Sequence, residues 1–350
     1  MRLHGIHHVT AITADGPRNA EFYGGVLGLR LVKKTVNFDD PGAYHLYYGD
    51  RTGAPGTVLT FFEYPGARLG RAGEGMVTRI DWSVPGEASL DWWERQLAGR
   101  AATERGTGYL DVWDHEGLIT RLIAVPESAS LPHAEAPHVP GEFALRRMIG
   151  VQAQARDPEG SAAVLEVLGF ERDADHWWTE ADGQGAAYEL VHGDGEAAIG
   201  GAGTTHHVAW ASTDADHVHW LGRAAEAGVQ ATPIVDRDYF RSIYFREPSG
   251  VLFELATDGP GFAVDEPADA LGATLRLPRQ HEHLRPLLEE RLAPISDPWA
   301  PYRCVRSSSA SARRAASRKA RSCCSTDGAP TSTISCHSSR SSILISGSSG

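Results

Sequence analysis

The chain repeats itself. GIHHVTAITAD at residues 5–15 and TTHHVAWASTD at 204–214 share His-His-Val, with an Asp seven residues after the second His. Each is followed by a helix-like stretch, NAEFYGGVLGLRLV in the first and ADHVHWLGRAAEAGV in the second. Weaker copies begin at MVTRIDWSVPGEASLDWWERQLA, from residue 76, and RRMIGVQAQARDPEGSAAVLEVLGF, from residue 146. Each copy reads as a strand, a polar turn with Pro or Gly, a helix, and then β-rich segments bounded by turn residues. A unit this small cannot bury its apolar face alone, so the copies must pack on one another.

The repeating unit is βαβββ, about fifty to sixty residues long, and four copies fill residues 2–258. The predicted fold class is α+β, with four βαβββ modules paired into two domains that carry open, curved, mixed β-sheets. The expected divisions are an N-terminal domain of two modules over 1–126, a Pro-rich linker over 127–141 and a C-terminal domain of two modules over 142–258. A C-terminal extension over 259–303 follows, with a helix read from LPRQHEHLRPLLEERLAP despite Pro286. Residues 304–350 are rich in Ser, Arg and Ala without a hydrophobic period, which predicts a disordered or non-native tail.

Composition narrows the chemistry. Of 350 residues, 41% are hydrophobic and 22% charged, the balance of a soluble globular chain. No apolar run approaches a membrane span, and the N-terminus MRLHGIHHV lacks the apolar stretch of a signal peptide, so a cytoplasmic protein with no membrane partner is expected. The formal net charge is -12 and the tail is itself basic, which leaves the body more acidic still and argues against a nucleic-acid partner. All four cysteines, Cys304, Cys323, Cys324 and Cys336, lie in the tail. The body has no thiolate to offer, so its metal chemistry must use His and carboxylate.

Residues two apart on a strand share a face. In GIHHVTAIT, His8 shares a face with Ile6, Thr10 and Ile12 while His7 points the other way, and His206 and His207 divide likewise. A His at the same place in two repeats converges on its mate if the units pair about a pseudo-twofold. The matching positions of the middle units are Arg79 and Gly150, so only the first and last units offer a ligand. Glu254, in SGVLFELATD, is the third candidate, a carboxylate in an otherwise apolar strand that needs a cation beside it if buried. Two neutral imidazoles and one carboxylate with open positions suit Fe(II), with Mn(II) as the alternative ion. The competing reading keeps the His pairs as backbone-bonded strand residues and sets Glu254 against Arg246.

The four βαβββ units, the two His-His-Val strands and PSGVLFELATD together resemble the vicinal oxygen chelate superfamily, which has the glyoxalase, bleomycin resistance and extradiol dioxygenase fold. Within it they resemble the ring-cleaving dioxygenases that act on para-hydroquinones, over about residues 3–295. The resemblance implies metal ligands His8, His207 and Glu254, from the first and fourth units, where catechol-cleaving relatives use the third and fourth. It also sets Arg237 and Tyr244, in DRDYFRSIYFREP, around the metal as catalytic groups, with His7 and His206 nearby. Arg237 could bond a phenolate or carboxylate and Tyr244 could donate to a bound oxygen. The plainer alternatives are an ion pair of Arg237 with Asp236 or Asp238 and core packing for Tyr244. Simple alternation turns His7 and His206 away from the metal, so they need a bulge to reach it. Phe61, Phe62, Trp82 and Trp210 either line a ring-shaped pocket or fill the core.

The activity implied is that of an Fe(II)-dependent, extradiol-type ring-cleaving dioxygenase. It would insert O₂ into a small aromatic diol, a para-hydroquinone in first place, working alone or as a homo-oligomer. Two rivals stay open, a glyoxalase-like metal-dependent isomerase or lyase and a metal-free module that sequesters aromatic drugs. The isomerase needs a fourth protein ligand opposite Glu254; aligning VLTFF with VLFEL puts Thr60 or Phe61 there, not Glu63.

Overall fold

Each repeat folds into a βαβββ module. The computed structural model describes residues 1–302 apart from 175, 182 and 194, so the tail expected over 304–350 lies outside the described residues. The first module comprises β1 (Ile6–Thr13), α1 (Gly16–Ala20), β2 (Arg30–Val36), β3 (Tyr44–Gly49) and β4 (Val58–Glu63). The second comprises β5 (Met76–Val84), α2 (Glu87–Leu97), β6 (Ala102–Gly106), β7 (Tyr109–Trp113) and β8 (Ile119–Ala124). The third comprises β9 (Met148–Ala155), α3 (Pro158–Val167), β10 (Glu171–Asp173), β11 (His176–Ala181) and β12 (Gln184–His192). The fourth comprises β13 (Thr205–Ser212), α4 (His217–Glu226), β14 (Val235–Asp236), β15 (Arg241–Arg246) and β16 (Leu252–Thr257).

In the first and third modules the acid after the first strand has a structural use. Asp15 accepts the backbone N–H of Arg18 and Asp157 that of Gly160, each capping the start of its module's helix. Helix α2 shows the apolar stripe that seats such a helix, with Leu90, Trp93 and Leu97 fully buried at helical spacing. Helix α1 instead widens into a π-helical turn over Glu21–Val26. There Trp299 and Tyr302 donate to the carbonyls of Gly24 and Gly25, and a Cβ on Gly24 would strike Pro298.

The modules assemble into two mixed eight-stranded sheets, ordered β14-β15-β16-β13-β1-β4-β3-β2 and β10-β11-β12-β9-β5-β8-β7-β6. Each sheet closes where two first strands pair antiparallel, β1 with β13 and β5 with β9. The first module therefore shares a sheet with the fourth, and the second with the third. The described body is one compact unit. The Pro-rich segment 127–141 packs against the first module. It buries Ala134, Ala136 and Val139, with Val139 against Gly28, and its His133 carbonyl accepts from the N–H of Arg51.

Phe61, Trp82 and Trp210 are fully buried in the core, along with Trp93, Trp177 and Trp220. Beyond β16 the extension is tied down by Lys33 of β2, whose fully buried ammonium lies 2.6 Å from Asp265 and 2.5 Å from Glu266. The expected C-terminal helix divides in two, a 3₁₀ turn over Arg279–Leu284 followed by α5 (Arg285–Arg291). Pro286 falls in the first turn of α5, where its missing N–H breaks no helical hydrogen bond. No helix among the described residues is long and apolar enough to cross a membrane.

Candidate metal centre

The pairing of β1 with β13 decides what the two His-His-Val motifs can do. Its register skips between Ile6 and His8, and again where Thr10 and Ala11 face His207 and Thr205. His7 and His206 are thus the extra residues of two bulges, one in each strand. A regular strand would send neighbouring side chains to opposite faces. Here His7 Nδ1 lies 2.9 Å from His8 Nδ1, and His206 Nδ1 lies 2.7 Å from His207 Nδ1. The bulge that alternation demanded is present in both motifs.

At the centre, His8 Nε2 is 3.2 Å from His207 Nε2. Glu254 Oε2 is 2.9 Å from His207 Nε2 and 3.3 Å from His8 Nε2, yet it accepts no properly aligned hydrogen bond. All three residues are buried, and Glu254 is fully so. Cis ligands about 2.1 Å from one ion sit about 3.0 Å apart, so a triangle with these edges fits one face of an octahedron. The three atoms face a common point rather than each other, as donors sharing a cation do; they are the only such group of three among the described residues.

Hydrogen bonding prepares these donors. His7 Nδ1 lies within hydrogen-bond distance of His8 Nδ1, as His206 Nδ1 does of His207 Nδ1. A ring that carries its hydrogen on Nδ1 presents Nε2 as a lone pair, the form in which imidazole binds a metal. Burial pushes His207 below its ordinary range, which favours the neutral ring. Burial works to raise Glu254, but the flanking His8 and His207 outweigh it and hold the carboxyl well below 4.5. Ser242 donates to the other oxygen, Oε1, at 2.5 Å, leaving Oε2 for the centre. Arg246 is exposed and bonds the carbonyl of Gly250, so it is not the partner of Glu254.

A cavity of about 380 Å³ opens over the three residues. Tyr244 stands across the β15/β16 pair from Glu254, and its oxygen accepts from Arg237 Nε at 3.1 Å. Arg237 reaches Asp39 at 3.2 Å, not Asp236 or Asp238. Burial raises Tyr244 above its ordinary value, which keeps the hydroxyl protonated and able to donate. Phe62 lines the cavity, as does Phe240, which packs edge-on to His7 at 5.0 Å.

His45, Tyr47 and Phe240 also face this cavity, and no motif singled them out. The signal was the repeat itself: YHLYYG of β3 lies over RSIYFR of β15, matching His45 to Ser242 and Tyr47 to Tyr244. Thr60 faces Thr10 as Glu254 faces Ala209, so Thr60 holds the place opposite Glu254. Its hydroxyl is engaged with Thr10 at 2.8 Å and His45 at 2.9 Å. Glu63 is elsewhere, accepting the N–H of Gly16. In the second sheet the corresponding positions carry Arg79, Gly150 and Glu189, and the Arg79 guanidinium bridges Asp81 and Glu189 at 2.6 and 2.7 Å. A fixed guanidinium charge there takes the role a cation would have.

Known proteins resemble this chain over most of its length. The model of the Glyoxalase/Bleomycin resistance protein/Dioxygenase superfamily matches residues 5–255. MhqA of Bacillus subtilis (strain 168), named as a candidate ring-cleaving dioxygenase, is 40% identical over 319 residues, covering 84% of this chain and 100% of MhqA. The chlorohydroquinone/hydroquinone 1,2-dioxygenase of Sphingobium indicum is 32% identical over 327 residues, covering 85% of this chain and 97% of that protein. A crystal structure titled as a candidate dioxygenase from Bacillus subtilis superposes with a TM-score of 0.77 at 37% identity, over 84% of this chain and 98% of the other.

Proposed function

The chain belongs to the glyoxalase/bleomycin resistance protein/dioxygenase superfamily, and on that footing we propose that it is a ring-cleaving dioxygenase of the extradiol type. It holds one Fe(II) ion on His8, His207 and Glu254 and acts with O₂ on a small aromatic diol, a para-hydroquinone. The observation that carries the reading is the triangle of donor atoms with edges of 2.9, 3.2 and 3.3 Å at the floor of a cavity walled by aromatic rings. The relatives named as ring-cleaving and hydroquinone dioxygenases support the reaction class.

Bound there, Fe(II) would acidify a coordinated phenol and supply the redox centre at which O₂ reacts. The chain's own groups do the rest. His7 and His206 hold the Nδ1 edges of His8 and His207, which fixes the ring planes. Ser242 pins one oxygen of Glu254 so that the other is presented. Arg237 faces the cavity with a permanent positive charge, suited to the phenolate and to the carboxylate that ring opening creates. Tyr244 is placed to donate its hydroxyl hydrogen to a substrate oxygen. Phe62 and Phe240 flank the space for the ring and keep water from it.

The isomerase reading needs a fourth strong ligand opposite Glu254. Thr60 stands there with a neutral hydroxyl already bonded to Thr10 and His45, which disfavours it. The test is anaerobic loading with Fe(II), then an oxygen electrode with hydroquinone, catechol and a methylglyoxal–thiol adduct. Oxygen uptake with hydroquinone supports the reading. Turnover of the adduct without oxygen uptake, or activity that survives loss of His8, would overturn it.

A further inference from the structure

A para-diol carries its two hydroxyls on opposite ends of the ring. Only one can reach an ion on His8, His207 and Glu254, so the other needs a partner on the cavity wall. Tyr244 and Arg237 cannot be that partner while serving the oxygen at the ion, because Tyr244 lies directly across the strand pair from Glu254. The wall on the other side of the pseudo-twofold is built by β3 and β4.

There Tyr47 takes the place that Tyr244 takes on its own side, facing Thr60 across β3/β4 as Tyr244 faces Glu254. It is buried, lines the cavity, and its hydroxyl lies 2.9 Å from His45 Nδ1. The His45 ring lies over that of Tyr47 at 4.0 Å and against Phe62 at 4.3 Å. His45 Nε2 is in turn held by Thr60, and Thr60 by Thr10 beside the His8 strand position. Tyr47 is therefore the end of a buried strut that starts next to the centre. A phenol engaged in one hydrogen bond still has capacity for a second. Among the other polar groups lining this side of the cavity, Asp39, Asp40 and Tyr64 are less buried, and Asn37 is engaged with Tyr64 and the N–H of Asp39.

We propose that Tyr47, positioned by His45, receives the second hydroxyl of the para-diol and makes the cavity select a ring bearing oxygens at both ends. The proposal rests on the substrate class read above. Its geometry is rigid where recognition needs it to be: the tyrosine hydroxyl is pre-placed by His45, which Thr60 holds in turn.

The test compares hydroquinone with phenol, which lacks the second hydroxyl, binding to the anaerobic Fe(II)-loaded chain. The unaltered protein should bind hydroquinone more tightly. Tyr47→Phe should weaken hydroquinone by about tenfold, the scale of one hydrogen bond, and phenol by less than about twofold. His45→Phe, which keeps the ring stack, should reproduce the same selective loss. Equal effects on the two ligands, no effect, or a parent that does not prefer hydroquinone would each overturn the proposal. Selective binding without oxygen uptake would instead sink the dioxygenase reading and leave Tyr47's role standing. Oxygen uptake with an unchanged hydroquinone KM in Tyr47→Phe would do the reverse.

Discussion

The Nε2 atoms of His8 and His207 lie 3.2 Å apart although 199 residues separate them in the chain. Each ring is turned to that position by a bulged neighbour, and a buried carboxylate closes the triangle. Two lone pairs and an anion held together need a cation or protons among them.

Removing any corner should therefore remove the ion. His8→Ala, His207→Ala and Glu254→Ala are each expected to lose bound iron by atomic emission and to abolish oxygen uptake. An ion present at a hundred times its Kd stabilises the fold by about 2.7 kcal/mol. Anaerobic melts should show an iron-dependent rise in Tm for the parent and none for the three variants; a rise retained by any one of them takes that residue out of the centre.

Arg237 should not tolerate its usual conservative exchange. Arg237→Lys keeps a charge but loses the Nε bond to Tyr244, along with the planar fork that suits a carboxylate. Iron content should stay at the parental level while kcat falls by about a hundredfold, the order of one well-placed catalytic group. A kcat within twofold of the parent would leave Arg237 with only its ion pair to Asp39.

The bulge histidine should leave a mark on acid stability. Burial, with the His8 ring next to it, holds His7 at about 3 against an ordinary 6.5. The unfolded chain gains a proton there below 6.5 and the folded chain does not until about 3. Stability carried by neutral His7 is thus complete above 6.5 and lost as pH falls between those values. In urea melts of the metal-free chain between about pH 4 and 6, His7→Asn should lower the proton uptake on unfolding by about one. An unchanged slope would contradict this.

Lys33 should matter to the extension far more than a surface lysine would. Lys33→Met leaves Glu266 buried without its cation and is expected to cost about 3 kcal/mol in urea unfolding. Adding Glu266→Gln should recover part of that loss. A single variant as stable as the parent would show that the pair does not anchor the extension.

What the sequence revealed of this architecture came through repetition. The two His-His-Val motifs mark equivalent strands, and that equivalence names His8 and His207 without any knowledge of the sheet order. Glu254 stood out because a carboxylate interrupts an apolar strand. The sheet partners were harder to read, because chain order suggests neighbours in sequence while the pairing of β1 with β13 joins the first module to the last. His45 and Tyr47 were hidden for another reason. On an aromatic-rich strand they look like core, and only the registers Tyr47 to Thr60 and Tyr244 to Glu254 show that the strand forms a wall of the same cavity. Pro286 misled in the same local way, since a proline that interrupts a long helical pattern opens a short helix without strain.

The central claim is tested most directly by diffraction from crystals of the Fe(II)-loaded chain, recorded at the iron absorption edge under anaerobic conditions. The account predicts one anomalous peak per chain, within bonding distance of His8 Nε2, His207 Nε2 and Glu254 Oε2. A peak elsewhere, or iron bound without all three of these atoms, would contradict it.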